Sequence, residues 1–127
     1  MADFEPKPAP KSALVVDDDL DMCWVLEAAL KGVACAAMTV STGRDALKLI
    51  NTQSFPIAFV DARLPDIDGL RLSEQLRHVQ PDLRIFIISG YFLADDAEIL
   101  EAIRTQRING FLAKPFQIGS ILAALME

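Results

Sequence analysis

The sequence predicts an α/β fold in which a doubly wound parallel sheet is covered by helices on both faces. Five apolar, strand-like runs alternate with four helix-like segments, and a fifth helix-like segment closes the 127-residue chain. This alternation is typical of consecutive βαβ units. Residues 57–60 and 85–88 are apolar at every position, as expected for strands that are buried on both faces. The length fits one domain.

The predicted strands are short apolar runs, and the second is the weakest because it is rich in alanine. They are residues 13–16 (ALVV), 34–40 (ACAAMTV), 56–61 (PIAFVD), 83–90 (LRIFIISG) and 110–114 (GFLAK).

The predicted helices lie between these runs and carry helical spacing or capping residues. They are residues 21–32, 41–51, 69–80, 95–107 and 118–127. Gly32 is a candidate C-cap of the first helix, and Ser41 and Thr42 are candidate N-caps of the second. Leu72 and Leu76 lie one turn apart in the third.

Composition and charge exclude several classes of protein. The net charge is -6 and lysine and arginine form no run, so we expect no direct binding of nucleic acid. No apolar stretch approaches the roughly 20 residues of a membrane helix, and the N-terminus lacks the apolar core of a secretory signal. We therefore expect a cytoplasmic location and no membrane partner. Residues 1–11 carry alternating prolines, which predicts a flexible tail before a domain at 12–127.

A few residues are more consistent with packing than with chemistry. Cys23 and Cys35 match no metal-binding spacing, so we interpret both as packing residues in a reducing compartment. We expect Trp24 and Phe86 to be buried or partly buried, and His78 to be exposed on a helix.

Polar side chains follow four of the predicted strands where each strand ends. Asp17 and Asp18 follow the first strand, and Asp61, Ser89 and Lys114 lie at the carboxyl ends of the third, fourth and fifth. Because ligands bind outside the carboxyl ends of parallel strands, these side chains should meet in one cleft.

Clustered carboxylates need a cation. Two unit charges ~4 Å apart repel by about 4 kcal/mol at an effective dielectric of ~20. Mg²⁺ prefers hard oxygen ligands and often bridges carboxylates and a phosphate, and Lys114 adds a second positive charge. This combination predicts phosphoryl transfer, with Asp61 as the nucleophile because it stands alone at its strand end.

Four motifs together resemble the receiver domain of two-component response regulators. They are VVDDD (15–19), VDARLPDIDGL (60–70), IISG (87–90) and KPF (114–116), and the resemblance covers roughly residues 12–127. It implies a flavodoxin-like sheet with strand order 2-1-3-4-5 and five helices.

The resemblance also implies a role for each site residue. A sensor histidine kinase would pass a phosphoryl group to Asp61. Asp17, Asp18 and Asp61 would hold Mg²⁺ together with the backbone carbonyl of Arg63. Ser89 and Lys114 would contact the phosphoryl group. The resemblance further implies that the domain acts on itself and is not an enzyme for other substrates.

Signalling is expected to run through an aromatic switch. The resemblance implies that Ser89 moves toward the phosphate and that Phe111 turns inward. The face made by helix 4, strand 5 and helix 5 would then control an output domain or a downstream protein, and could pair in a homodimer. A cis peptide bond is expected between Lys114 and Pro115.

The sequence departs from the family pattern in three places. Lys114 lies 25 positions after Ser89, which is longer than the family leads us to expect. Arg63 and Tyr91 occupy the positions that flank the hydrolytic water, and their size predicts slow loss of phosphate. The last helix looks short, so either the natural chain continues into an output domain or this helix pairs with a partner.

Two other functions and several local alternatives were weighed. A phosphatase of the haloacid dehalogenase type also uses an Asp nucleophile, but it would leave Asp61 without a role. A phosphate-independent interaction module on the same fold would not need the full set of polar groups. A calcium loop starting at Asp17 is rejected because its sixth position is Met22 rather than glycine.

The remaining carboxylates near the site are interpreted locally. Asp19 and Asp21 are expected to cap the first helix, and Asp66 and Asp68 to serve as turn or cap groups before the third.

Overall fold

The computed structural model describes residues 10–90 and 96–126, and within them a five-stranded sheet alternates with five helices. The strands are β1 (Ser12–Val16), β2 (Ala36–Val40), β3 (Ile57–Asp61), β4 (Arg84–Ser89) and β5 (Gly110–Ala113). The helices are α1 (Leu20–Lys31), α2 (Gly43–Ile50), α3 (Gly69–Val79), α4 (Ala97–Arg104) and α5 (Ile118–Met126).

All strand pairs are parallel, and the order is β2-β1-β3-β4-β5. The predicted fold and strand order are therefore confirmed. The order reverses between β1 and β3, which is where the carboxyl ends of parallel strands form a crevice. Most of the predicted tail, and Tyr91, lie outside the described residues.

The core consists of two apolar layers, one on each face of the sheet. Alternate residues of the central strands point to opposite faces, so Val16, Val60 and Ile87 pack with α2, α3 and α4. Val15 and Phe59 pack with α1 and α5 on the other face. The strands are thus covered on both sides, and this explains why β3 and β4 are apolar without alternation.

Capping side chains define where the helices begin. Asp19, Thr42, Asp68 and Asp96 are the N-caps of α1, α2, α3 and α4, and each accepts backbone N–H groups of its own first turn. The interpretation of Asp19 and Asp68 as caps is confirmed. Such caps satisfy N–H groups that have no partner within the helix.

Cys23 and Cys35 are free and buried in the layer that contains α1 and α5, as predicted. Phe86 is buried as well, 6.1 Å from Phe59 between ring centroids. The prediction for Trp24 is wrong, because its side chain is 71% exposed.

The phase of α1 explains the exposure of Trp24. This helix buries Cys23, Leu26 and Leu30, which lie on one face at helical spacing, and Trp24 falls outside that face. A sequence that is typical of a helix does not indicate which face is buried when apolar residues occur all around the helix.

Two further expectations are met. Gly32 is the C-cap residue of α1, and the peptide bond between Lys114 and Pro115 is cis. None of the helices within residues 10–90 and 96–126 is long and apolar enough to cross a bilayer.

Candidate functional site

The carboxyl edge of the sheet gathers the predicted site residues. Asp61 and Ser89 are the last residues of β3 and β4, and Asp17 and Lys114 directly follow β1 and β5. Backbone hydrogen bonds fix the two outer positions. Asp17 N–H donates to Val40 O at 3.0 Å, and Lys114 N–H donates to Ser89 O at 2.8 Å.

Three carboxylates converge at this edge. One oxygen from each of Asp17, Asp18 and Asp61 lies within 4.8 Å of the other two. Asp17 is buried, Asp61 is half-buried and Asp18 is exposed, so the cluster opens toward solvent on one side. Oxygen ligands in a cluster that is buried on one side and open to solvent on the other suit a hard divalent cation that keeps some of its water.

The amine of Lys114 lies inside the cluster. Its Nζ is 2.6 Å from Asp17 Oδ2 and 3.9 Å from Asp61 Oδ2, and the lysine side chain is only 13% exposed. One ammonium cannot balance three carboxylates. The described residues therefore fit a further divalent cation at this edge by both charge and ligand type.

The pKa of Asp61 is raised first by burial and then by the excess negative charge at this edge. Burial and the negative charge of Asp17 raise the pKa of Asp61 from 3.8 to about 6. Lys114 and the Arg63 N–H, which donates to Asp61 Oδ1 at 3.3 Å, oppose the shift without cancelling it. A bound cation would oppose the part of this shift that comes from the negative charge of Asp17.

Ser89 is buried beside this cluster, and its backbone pairs with Ala113 of β5. Phe111 is half-buried in β5, paired with Ile87, and packs against the apolar layer that contains α4. Both lie where the sequence predicted them. Tyr91, the other predicted residue near the acceptor, lies outside the described residues.

The loop that follows Asp61 packs directly on the backbone of Asp61. Gly69, the first residue of α3, leaves no room for a side chain, because a Cβ atom there would lie 2.3 Å from Asp61 O. The Gly69 N–H donates to Ala62 O at 2.9 Å, which closes the loop. No role is predicted for Gly69 from the sequence, although its place after two carboxylates at a helix start is a signal.

Two other contacts were also missed. The Cys23 thiol donates to Asp17 O at 3.2 Å, and burial with the nearby Asp17 charge raises the pKa of Cys23 to about 11. Asp66 caps α2 rather than α3, since its carboxylate accepts the N–H groups of Gly43 and Arg44. No local sequence pattern indicates a cap across 22 or more residues.

Clustered carboxylates and one lysine thus lie at the carboxyl edge of a doubly wound sheet, which is where sheets of this kind bind their ligands. A sequence model of the response regulator receiver domain matches residues 13–126. The chain belongs to this family.

The curated relatives are longer proteins. The transcriptional regulatory protein ZraR of Escherichia coli is 30% identical over 112 residues, which cover 88% of this chain and 25% of that protein. The DNA-binding transcriptional regulator NtrC of Klebsiella pneumoniae is 32% identical over 111 residues, covering 87% and 23%. The chain thus spans about a quarter of the length of these relatives.

Solved structures share the fold. A response regulator from Burkholderia pseudomallei, solved with a phosphorylated aspartic acid, a calcium ion and citrate, is 35% identical, with a TM-score of 0.79. The alignment covers 91% of this chain and 66% of that one. A CheY-like receiver domain from Methanospirillum hungatei, at 23% identity and a TM-score of 0.79, covers 89% and 88% and supports the fold alone.

Proposed function

We propose that this receiver domain accepts a phosphoryl group on Asp61 from a sensor histidine kinase, in a reaction that requires Mg²⁺. One observation supports the proposal most strongly. Asp17, Asp18, Asp61 and the Lys114 amine lie close together at one edge of the sheet. The domain acts only on itself, through phosphoryl acceptance and later loss.

The chain's own groups would drive the reaction. A carboxylate oxygen of Asp61 attacks phosphorus, a new O–P bond forms, and the bond from phosphorus to the donor nitrogen breaks, leaving the electron pair on that nitrogen. With a pKa of about 6, Asp61 is mostly ionised at neutral pH and can attack. Lys114, 3.9 Å away, is placed to balance the charge that the phosphoryl oxygens bring.

Mg²⁺ would be held by Asp17, Asp18, Asp61 and the backbone carbonyl of Arg63. When bound, the ion supplies charge neutralisation and orients the phosphoryl oxygens.

The signal would leave through the face made by α4, β5 and α5. Ser89 would contact the new phosphoryl group, and Phe111 would turn inward as Ser89 moves. Phe111 is half-buried against the layer that contains α4, so a change of its rotamer would alter packing beneath that face. An output domain, a downstream protein or a second copy of the domain would bind there.

The partners and location follow from the family and its relatives. ZraR and NtrC are transcriptional regulators, which supports an output domain as the element controlled by residues 12–127 in the natural protein. The relative solved with a phosphorylated aspartic acid supports phosphorylation as the input. We place the protein in the cytoplasm, where such kinases present their phosphohistidine.

Intact-mass spectrometry after treatment with acetyl phosphate tests this function. The proposal predicts one phosphoryl group per chain with Mg²⁺, almost none with EDTA, and none in Asp61→Asn. Sustained hydrolysis of small phosphate esters without stoichiometric labelling would favour a phosphatase. Absence of labelling, and of beryllofluoride binding, would favour a phosphate-independent module.

A further inference from the structure

We infer that Asp66 is a positioning residue that ties the metal-binding loop after Asp61 to the N-terminus of α2. The inference rests on the proposed function, because it concerns how Arg63 is held as a metal ligand. It predicts that Mg²⁺ affinity depends on a carboxylate that does not touch the ion.

Asp66 makes a two-point contact with a distant element. Its Oδ1 accepts the Gly43 N–H and its Oδ2 accepts the Arg44 N–H, both at 3.0 Å. These are the first two N–H groups of α2, which have no partner within the helix. The same two hydrogen bonds lower the pKa of Asp66, so the carboxylate is ionised at neutral pH.

The contact is closely packed as well as hydrogen-bonded. Gly43 is buried, and a Cβ atom there would lie 2.3 Å from Ile67 Cγ2 and 3.5 Å from Asp66 Oδ1. The tip of the loop therefore rests on the backbone of α2 at a point where a residue larger than glycine would push the Ile67 side chain aside. A shift of the loop away from α2 would lengthen both Asp66 hydrogen bonds.

The rest of the loop transmits this restraint to Arg63. The Leu64 N–H donates to Ile67 O at 3.3 Å, and Arg63 pairs with Asp68 in an antiparallel bridge. The Arg63 N–H also donates to Asp61 Oδ1. Arg63 thus lies between the acceptor and a loop tip that Asp66 fixes to α2.

A tether of this kind acts in both directions. If α2 helps to hold Arg63 in place for the ion, then Mg²⁺ binding must stabilise the contact with α2 to the same extent. The Gly43 and Arg44 amides should therefore become better protected from hydrogen exchange when Mg²⁺ binds, although they belong to another element.

The test compares two ways of weakening the start of α2. Asp66→Ala removes the tether, whereas Thr42→Ala removes a local cap, since Thr42 Oγ1 accepts the Asp45 N–H of the same helix at 3.1 Å. Asp66→Asn keeps an oxygen acceptor for one of the two N–H groups and serves as the conservative variant. Each protein is studied by calorimetric Mg²⁺ titration, hydrogen exchange, thermal melting and acetyl phosphate labelling.

We expect Asp66→Ala to weaken Mg²⁺ binding about tenfold, the low end for residues that support metal ligands indirectly. Asp66→Asn should recover part of the loss, and Thr42→Ala should bind Mg²⁺ like the wild type despite a similar loss of thermal stability. At saturating Mg²⁺, Asp66→Ala should label to the wild-type extent. Mg²⁺ should protect the Gly43 and Arg44 amides in the wild type but not in Asp66→Ala.

Three results would overturn the inference alone. Wild-type Mg²⁺ affinity in Asp66→Ala, or equal weakening in Thr42→Ala, would show that the tether does not position the loop. Unchanged protection of the Gly43 and Arg44 amides on Mg²⁺ binding would do the same. A wild-type protein that neither binds Mg²⁺ nor becomes labelled would overturn the proposed function and this inference together.

Discussion

The Lys114 amine lies 2.6 Å from Asp17 Oδ2, which is closer to this buried carboxylate than to Asp61. Asp17 is only 1% exposed, so Lys114 is its essential counter-charge in the protein without a metal ion. Asp61, at 3.9 Å, receives less of that positive charge, which is one reason why its pKa stays raised.

We expect Lys114→Met to lower the free energy of unfolding by about 3 kcal/mol without Mg²⁺, because it leaves a buried charge without a partner. Denaturant unfolding measures this loss. Adding Asp17→Asn to the variant should recover stability, and Lys48→Met, which changes an exposed lysine on α2, should have little effect. An equal loss in the two lysine variants would contradict the role of the pair.

Asp61 should destabilise the metal-free protein at neutral pH. Its pKa is raised from 3.8 to about 6 on folding, so the folded state holds this proton more tightly and the unfolding free energy falls as pH rises through that window. We expect Asp61→Asn to be more stable by about 1 to 2 kcal/mol at pH 7.5, after allowance for partial exposure.

The measurement is thermal or denaturant unfolding between pH 4 and pH 8, with and without Mg²⁺. Asp82→Asn, which changes an exposed carboxylate before β4, should keep the wild-type pH profile. Saturating Mg²⁺ should remove the advantage of Asp61→Asn. If the unfolding free energy of the wild type rises with pH across the Asp61 titration, relative to that of Asp61→Asn, the predicted direction of the effect is wrong.

Gly69→Ala should damage the acceptor site. A Cβ atom at this position would lie 2.3 Å from Asp61 O and 3.0 Å from Ala62 Cα, so the backbone of the acceptor must shift. We expect at least a tenfold loss in the rate of acetyl phosphate labelling, since misplaced reacting groups lose about that much or more. Labelling kinetics and thermal melting check the two effects separately.

Gly119→Ala is the matched control for that substitution. Among the described residues, nothing lies within 4 Å of a Cβ atom at Gly119 in α5, so alanine should raise stability by about 0.5 to 1 kcal/mol through helix propensity. It should leave labelling unchanged. If Gly69→Ala labels as fast as Gly119→Ala, the close approach to Asp61 has no functional consequence.

The last turn of α5 is hydrogen-bonded by Arg84, the first residue of β4, which lies at the end of that strand away from Ser89. The Arg84 guanidinium donates to Ala124 O at 3.2 Å and to Leu125 O at 3.1 Å, which satisfies two carbonyl groups at a helix end. Arg84→Met should therefore speed hydrogen exchange in this turn and lower stability by about 1 to 3 kcal/mol. Unchanged exchange, as expected for the exposed control Arg44→Met, would contradict this role.

The sequence predicts which residues form the site better than it predicts the contacts that hold them in place. Asp17, Asp61 and Lys114 could be placed together because parallel strands all end at the same edge, so position along the chain is enough. The strand order is predicted from the resemblance to the receiver domain family, because apolar runs do not indicate which strands are neighbours in the sheet.

The unpredicted features are contacts between distant elements. The Asp66 carboxylate looks like any turn residue in the sequence, and only the folded chain brings it to α2. Trp24 was misplaced because α1 has apolar residues on more than one face, and the sheet decides which face is buried. Both depend on tertiary packing, which local pattern does not contain.

The most direct measurement of the central claim is the mapping of the modified residue by peptide mass spectrometry. The protein is treated with acetyl phosphate and Mg²⁺, and the acyl phosphate is trapped by borohydride reduction before digestion. The account predicts a single reduced residue, Asp61, and no reduced residue in Asp61→Asn. Trapping at Asp17 or Asp18, or equal trapping in the Asp61→Asn protein, would contradict it.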